Sequence, residues 1–345
     1  MGFIGLEKFI DTLYEKAQQN SQRHFMTYVP LKNLKFVVDA NQLPYIICNE
    51  LMCNNQYGGN YDQIYSKAKE ILVALKPFIA TMIFDGSKEN HNKTFKRFHK
   101  KISRMANLPT KFYPCPNRRE HLDTFSKMPP FFVRMILVKL ANELGINYSM
   151  SEGTNNHAVA CYANGFNKDG LKYTVLSCNT FYYAYNLEKG YLSFKYLVDK
   201  LKEPTSMNAS TEVPIFMIDS LLSYLELYSY KLWFYFCVLM GSNDIELDRN
   251  DYYLRVNGIK GNFLNVVTHL KKNEAYFLRT SFKEIRSKYD RATISKIDNL
   301  LDQFEFIDKE FKMIDVANDF DRFTMSVSDL KACYLNCVVS IITLN

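Results

Sequence analysis

The chain has 345 residues, of which 47% are hydrophobic and 23% charged, an ordinary globular composition with enough length for one large core or two smaller ones. A formal net charge of +7 and a pI of about 8.8 are modestly basic, which suits a nucleic-acid partner and equally suits many unrelated soluble proteins. The N-terminal stretch MGFIGLEKF is no secretory signal, Leu6 stands where a myristoylation pattern wants Ser or Thr, and the apolar run Leu232 to Met240 falls far short of the roughly 20 residues a membrane span needs. A soluble, intracellular protein without a membrane partner is therefore expected.

In chain order, short apolar runs at Lys35 to Val38, Ile79 to Phe84, Ile146 to Met150, Tyr173 to Ser177 and Pro214 to Ile218 read as buried parallel strands. Helical patterns lie between them, most clearly Tyr61 to Leu75, Pro129 to Leu144 and Asn155 to Asn164. Pro129 and Pro130 suit a first helical turn, and Gly145 suits a C-terminal cap. The alternation predicts an α/β fold with a central, mainly parallel sheet flanked by helices. The stretch 87–128 is too long for an ordinary connection and is rich in Lys and Arg, so it is expected to be a helical insertion. Leu201 to Glu212 reads as a surface loop. After about Asn250 the strand signals fade and helical patterns such as Ser281 to Ile307 dominate, which divides the chain into 1–250 and a helical C-terminal region at 251–345.

Cys48, Cys53, Cys115, Cys161, Cys178, Cys237, Cys333 and Cys337 are scattered through apolar stretches without paired Cys-x-x-Cys spacing, so no zinc site is expected. Nothing in the sequence calls for a nucleotide cofactor.

In an open α/β sheet, functional groups gather beyond the carboxyl ends of the strands. Asp39 follows FVV, Asp85 follows MIF, and Glu152 follows the strand ending near Met150. If these strands are neighbours, the three carboxylates converge and could hold Mg²⁺, which takes hard oxygen ligands. Each acid taken singly has a plainer reading as a helix N-cap or turn residue, and Asp85-Gly86 is an unexceptional turn pair.

These residues sit in motifs that resemble the flap-endonuclease and XPG-like family, with a PIN-like fold, and specifically its Asteroid branch. MGFIGL resembles the family's N-terminal signature, VVDAN its first aspartate motif, and YGGNYDQIYSKAKEILVAL with MIFDG the segment of the second. PPFFVRMILVKLANELGINYSMSEG, LSCNTFYYAYNLEKGY and FCVLMGSND resemble the blocks that follow, in the expected order to about residue 245. The resemblance implies that acids from these motifs hold two divalent ions, which activate water and stabilise the scissile phosphate and leaving oxygen. Asp39, Asp85 and Glu152 match the family's catalytic and metal-binding positions. Thr154, Asn179 and Phe181 stand where further acids are expected, and Asp244 lies one residue beyond its match at Asn243. An amide or hydroxyl brings no charge to offset dehydration of a divalent ion, and Phe181 brings no ligand at all. The implied cofactor is one Mg²⁺ or Mn²⁺ at Asp39, Asp85 and Glu152, with Asp244 as a further candidate ligand.

Within the insertion, Lys93, Lys96, Arg97, Lys100, Lys101 and Arg104 recur at spacings of three and four, with Phe95 and Phe98 between them. Their position resembles the helical arch of flap endonucleases, through which single-stranded nucleic acid passes. Such a cluster would bind phosphates in a salt-dependent, sequence-blind way, while the plainer reading is a solvated helix whose phenylalanines pack inward. GIKGNFLNVV reads as a loop into a helix, or as a duplex-binding helix-turn-helix with imperfect spacing. His157 reads as a packing or hydrogen-bonding residue, Tyr182, Tyr183 and Tyr185 as sheet and core residues, and Trp233 to Phe236 as core. Three functions stand at this point: a DNA- or RNA-binding protein descended from structure-specific nucleases with weak or lost cleavage, an active Mg²⁺- or Mn²⁺-dependent endonuclease, and a protein-interaction scaffold. The first two imply single-stranded or junction-containing nucleic acid as partner, and the resemblance implies a nuclear location.

Overall fold

The computed structural model describes residues 5–19, 25–51, 61–85, 129, 133–151, 155–202, 208–240, 263–272, 295 and 313–314. The basic insertion at 87–128, most of the expected helix from Ser281 to Ile307, and Glu152, Thr154 and Asp244 lie outside these residues.

The strands are β1 (Met26–Pro30), β2 (Phe36–Asp39), β3 (Ile79–Asp85), β4 (Tyr148–Ser151), β5 (Thr174–Ser177), β6 (Tyr191–Ser193), β7 (Glu212–Phe216) and β8 (Met313–Ile314). Among the described residues they form one sheet in the order β1-β7-β6-β5-β2-β3-β4-β8. The centre, β6-β5-β2-β3-β4, is parallel throughout. The expected α/β class with a mainly parallel sheet is therefore what the chain adopts. One expectation needs correction, and another gains an addition. The strand expected at Pro214 to Ile218 is β7, which runs antiparallel to both β1 and β6, because β1 and β7 cap the sheet as an edge pair. In the C-terminal stretch expected to be helical, Met313–Ile314 pairs antiparallel with β4, adding a strand at the other edge.

Helices cover both faces: α1 (Leu6–Gln19), α2 (Tyr61–Leu75), α3 (Val133–Leu144), α4 (Asn155–Ala163), α5 (Lys195–Lys202), α6 (Ile218–Leu225), α7 (Tyr230–Met240) and α8 (Phe263–Lys272). α2 buries Ile64, Ala68, Ile71, Leu72 and Leu75, an apolar stripe at helical spacing. α3 likewise buries Val133, Leu137, Leu140 and Ala141, but Pro129 lies outside its helical turns. The helix stops at Gly145, whose φ of +63° lets its N–H reach Asn142 O at 3.1 Å while Ile146 N–H reaches Ala141 O at 2.8 Å. This pair of bonds is a Schellman cap, and it turns the chain into β4. α7 is strongly apolar beyond Lys231, and Trp233, Tyr235, Phe236 and Cys237 are buried.

Strand alternation divides the core into two layers. Phe36, Val38, Met82, Phe84, Leu176 and Leu192 join the layer with α2, α3 and α5. Val37, Ile83, Val175 and Tyr191 join the layer with α1, α4, α6, α7 and α8. By the same alternation Asp39, Asp85, Ser177 and Ser193, the last residue of each of four strands, belong to the second face.

Candidate functional site

Reading along the chain, the parallel strands run outward from β2 through β3 to β4, and then restart on the other side of β2 with β5 and β6. The order reverses between β2 and β5, and a crevice outside the carboxyl ends at such a switch point is where open α/β sheets bind ligands. Asp39 ends β2 and Ser177 ends β5, one on each side of that point. β3, which ends in Asp85, and β4 are the next strands outward, so the expected adjacency of β2, β3 and β4 holds.

Asp39 is buried, with 1% of its surface exposed. Its Oδ1 accepts hydrogen bonds from Asn155 Nδ2 at 2.6 Å and from the Asn41 backbone N–H at 3.3 Å. Its Oδ2 accepts from Ser177 Oγ at 3.0 Å and from Tyr182 OH at 3.2 Å. Burial, with the charge of Asp85 adding to it, pushes the Asp39 carboxyl up from 3.8 to about 7. The hydrogen bonds from Ser177, Tyr182 and the Asn41 backbone act in the opposite direction, but desolvation of a charge outweighs neutral hydrogen bonds here.

Asp85 is half-buried, and its backbone N–H donates to Asn41 Oδ1 at 3.2 Å, so the Asn41 side chain and backbone tie the ends of β2 and β3 together. Arg134, near the start of α3, donates from its guanidinium to the Asp85 main-chain carbonyl and lies 5.7 Å from the centre of the Phe84 ring. Burial lowers the pKa of Arg134 while the charge of Asp85 pulls it back up.

Across the switch point, Asn179 caps a 3₁₀ turn at Thr180–Tyr183, its Oδ1 accepting from the Phe181 N–H at 3.2 Å. Its Nδ2 donates to Asn156 Oδ1 at 2.8 Å, and its backbone N–H donates to Ser177 Oγ at 3.1 Å. Phe181 is buried in the core layer beneath α4. Both residues that stand at expected acid positions are thus employed inside the protein. Next to them, the Cys178 thiol donates to Gln42 Oε1 at 3.3 Å, and burial pushes its pKa up to about 12.

The structure brings Asp39 and Asp85 together and places Asn179 and Phe181 beside them. Of the other sequence-predicted residues, Glu152, Thr154, Asp244, Lys93, Lys96, Arg97, Lys100, Lys101 and Arg104 lie outside the described residues. His157 meets Cys161 Sγ within α4 at 3.4 Å, in line with a packing role. Tyr182, Tyr183 and Tyr185 are core residues as expected, but Tyr182 and Tyr183 lie in the 3₁₀ turn and not in the sheet, and the Tyr182 hydroxyl belongs to the site. Sequence reasoning also missed Asn41, Asn155, Ser177 and Arg134. A signal for Ser177 was available, because it ends its strand on the same face as Asp39 when residues are counted in steps of two.

A divalent cation needs oxygen lone pairs directed at it. An ionised carboxylate has about four such positions, and four donor hydrogens already meet those of Asp39. Among the described residues no three acidic, His or Cys side chains gather into a metal-binding group. In this arrangement the described donor set does not fit a divalent cation at Asp39.

No family model matches the chain, and no curated protein matches it. Solved structures that resemble it include the catalytic core of Rad2 in complex with DNA substrate, with 13% identity, a TM-score of 0.43, and coverage of 88% of this chain and 81% of that one. Human GEN1 in complex with Holliday junction DNA shows 13% identity, a TM-score of 0.41, and coverage of 91% and 68%. Scores this low leave the functional argument to the residues of the chain itself.

Proposed function

We propose that this chain is a nucleic-acid-binding protein of Asteroid type, built on the PIN-like plan of structure-specific endonucleases, in which metal-dependent cleavage is weak or lost. The observation that carries the reading is the employment of Asn179 and Phe181. One caps a turn with both ends of its amide engaged, and the other fills the core, so the acid positions across the switch point from Asp39 serve structure. The motif order, the basic run at Lys93, Lys96, Arg97, Lys100, Lys101 and Arg104, and the net charge of +7 support a phosphate-bearing partner, single-stranded or junction-containing DNA or RNA. In this reading the protein divides into a PIN-like domain at 1–250, with the basic insertion at 87–128 as its arch, and a helical C-terminal region at 251–345 that includes β8, and it works in the nucleus.

The test is affinity for flap and single-stranded oligonucleotides in chelator, measured across a salt series. Binding is expected to weaken steeply as salt rises, and neutralising Lys96, Arg97, Lys100 and Lys101 together is expected to weaken it by more than about tenfold. Affinity indifferent to both salt and charge removal would end the reading. The competing reading, an active endonuclease with a reduced ligand set, is favoured by the placement of Asp39 and Asp85 at the ends of the neighbouring strands β2 and β3.

A further inference from the structure

We propose that the Asn155 carboxamide occupies, with its own hydrogens, the place at Asp39 that a divalent cation would require, so Asp39 is a sealed hydrogen-bonded centre. This rests on the reading of the chain as a binder with weak or lost cleavage, and extends it to the half of the site that kept its acids.

Asn155 opens α4, and its side chain is buried against the end of β2. Its Nδ2 lies 2.6 Å from Asp39 Oδ1 and 3.4 Å from the Ile83 carbonyl oxygen. Two acceptors converge on that atom, so it is the nitrogen end of the amide, and the reverse orientation would set oxygen against oxygen. The arrangement leaves Asn155 Oδ1 buried with no hydrogen-bond partner among the described residues. A desolvated acceptor is unfavourable, so the contacts to Asp39 and Ile83 hold the orientation against that penalty. An amide nitrogen has no lone pair to give a metal. A cation at this oxygen of Asp39 must therefore displace the Asn155 nitrogen, and at the other oxygen it must displace Ser177 or Tyr182. At Asp85 positive charge is already present in the Arg134 guanidinium. Asn155 and Arg134 are positioning residues: one saturates the acceptor of the pair, and the other offsets its charge.

The test titrates Mn²⁺ alone into the full chain in mildly alkaline, nucleic-acid-free buffer, following free Mn²⁺ by electron paramagnetic resonance and heat by calorimetry. Wild type is expected to show no stoichiometric binding up to millimolar Mn²⁺. Asn155→Asp replaces the donor with a second carboxylate and is expected to gain at least about tenfold in affinity, lost again when Asp39→Ala is added. Asn155→Ala opens the space without adding charge and is expected to give a smaller gain, which keeps the test alive should the Asp variant fail to fold. An Asp39-dependent Mn²⁺ site in wild type would overturn the proposal, as would the absence of any gain in folded variants. Loss of nucleic-acid affinity in chelator would instead sink the binding reading and leave the Asn155 assignment standing.

Discussion

The two faces of the sheet solve different problems with the same strands. Toward α2, α3 and α5, side chains stay apolar to the strand ends, with Val38, Phe84, Leu176 and Leu192 fully buried. Toward α4, the apolar residues Val37, Ile83 and Val175 give way at the last position of each strand to Asp39, Asp85 and Ser177. One face buys stability alone. The other gives up some hydrophobic burial and holds a carboxylate inside the protein, where it must be matched by donors.

The difference is open to measurement, and the largest effect belongs to the apolar face. Leu176→Ala removes a fully buried side chain and is expected to lower stability by about 2–5 kcal/mol in denaturant melts without changing nucleic-acid affinity per folded molecule. A loss of affinity with stability intact would mean that this face also serves the site. On the polar face, Tyr182→Phe removes one donor to Asp39 and is expected to lower stability by about 1–3 kcal/mol, less than the apolar truncation. No change in this variant would show that the hydroxyl contributes nothing to holding the carboxylate.

A further effect follows from protons. The Asp39 carboxyl sits at about 7 in the folded protein against an ordinary 3.8, so the folded state binds the proton more tightly. Below pH 3.8 both states are protonated and the contribution is fully present. It is lost as pH rises through that value toward about 7, because the unfolded chain releases its proton while the folded chain keeps it. The melting temperature is thus expected to fall between pH 5 and pH 7, and Asp39→Asn is expected to flatten that slope. An unchanged slope in the variant would assign the dependence to another group.

Much of this fold was legible in the sequence, and the reasons are physical. Tyr61–Leu75 matches its expected helix end for end, because its apolar stripe and the Lys76-Pro77 stop agree. β2, β3 and β5 fall within a residue of expectation because parallel strands buried on both faces read as continuous apolar runs. β1 and β6 were not visible. β1 is an edge strand of mixed exposure, and β6 is only three residues long, entered through Gly190, whose φ of +75° and close approach to Ile215 and Phe216 O exclude a side chain. The acids were legible as strand-terminal residues. Their partners were not, because Asn155 and Tyr182 reach Asp39 across 116 and 143 residues of sequence, and no local pattern encodes such contacts.

The most direct measurement is a cleavage panel of flap, overhang and bubble substrates in Mg²⁺ and in Mn²⁺, with binding to the same substrates recorded alongside. The account predicts that wild type binds these substrates and leaves them largely intact in both metals, and that Asp39→Ala binds them equally well. Efficient metal-dependent cutting by wild type that disappears in Asp39→Ala would contradict it.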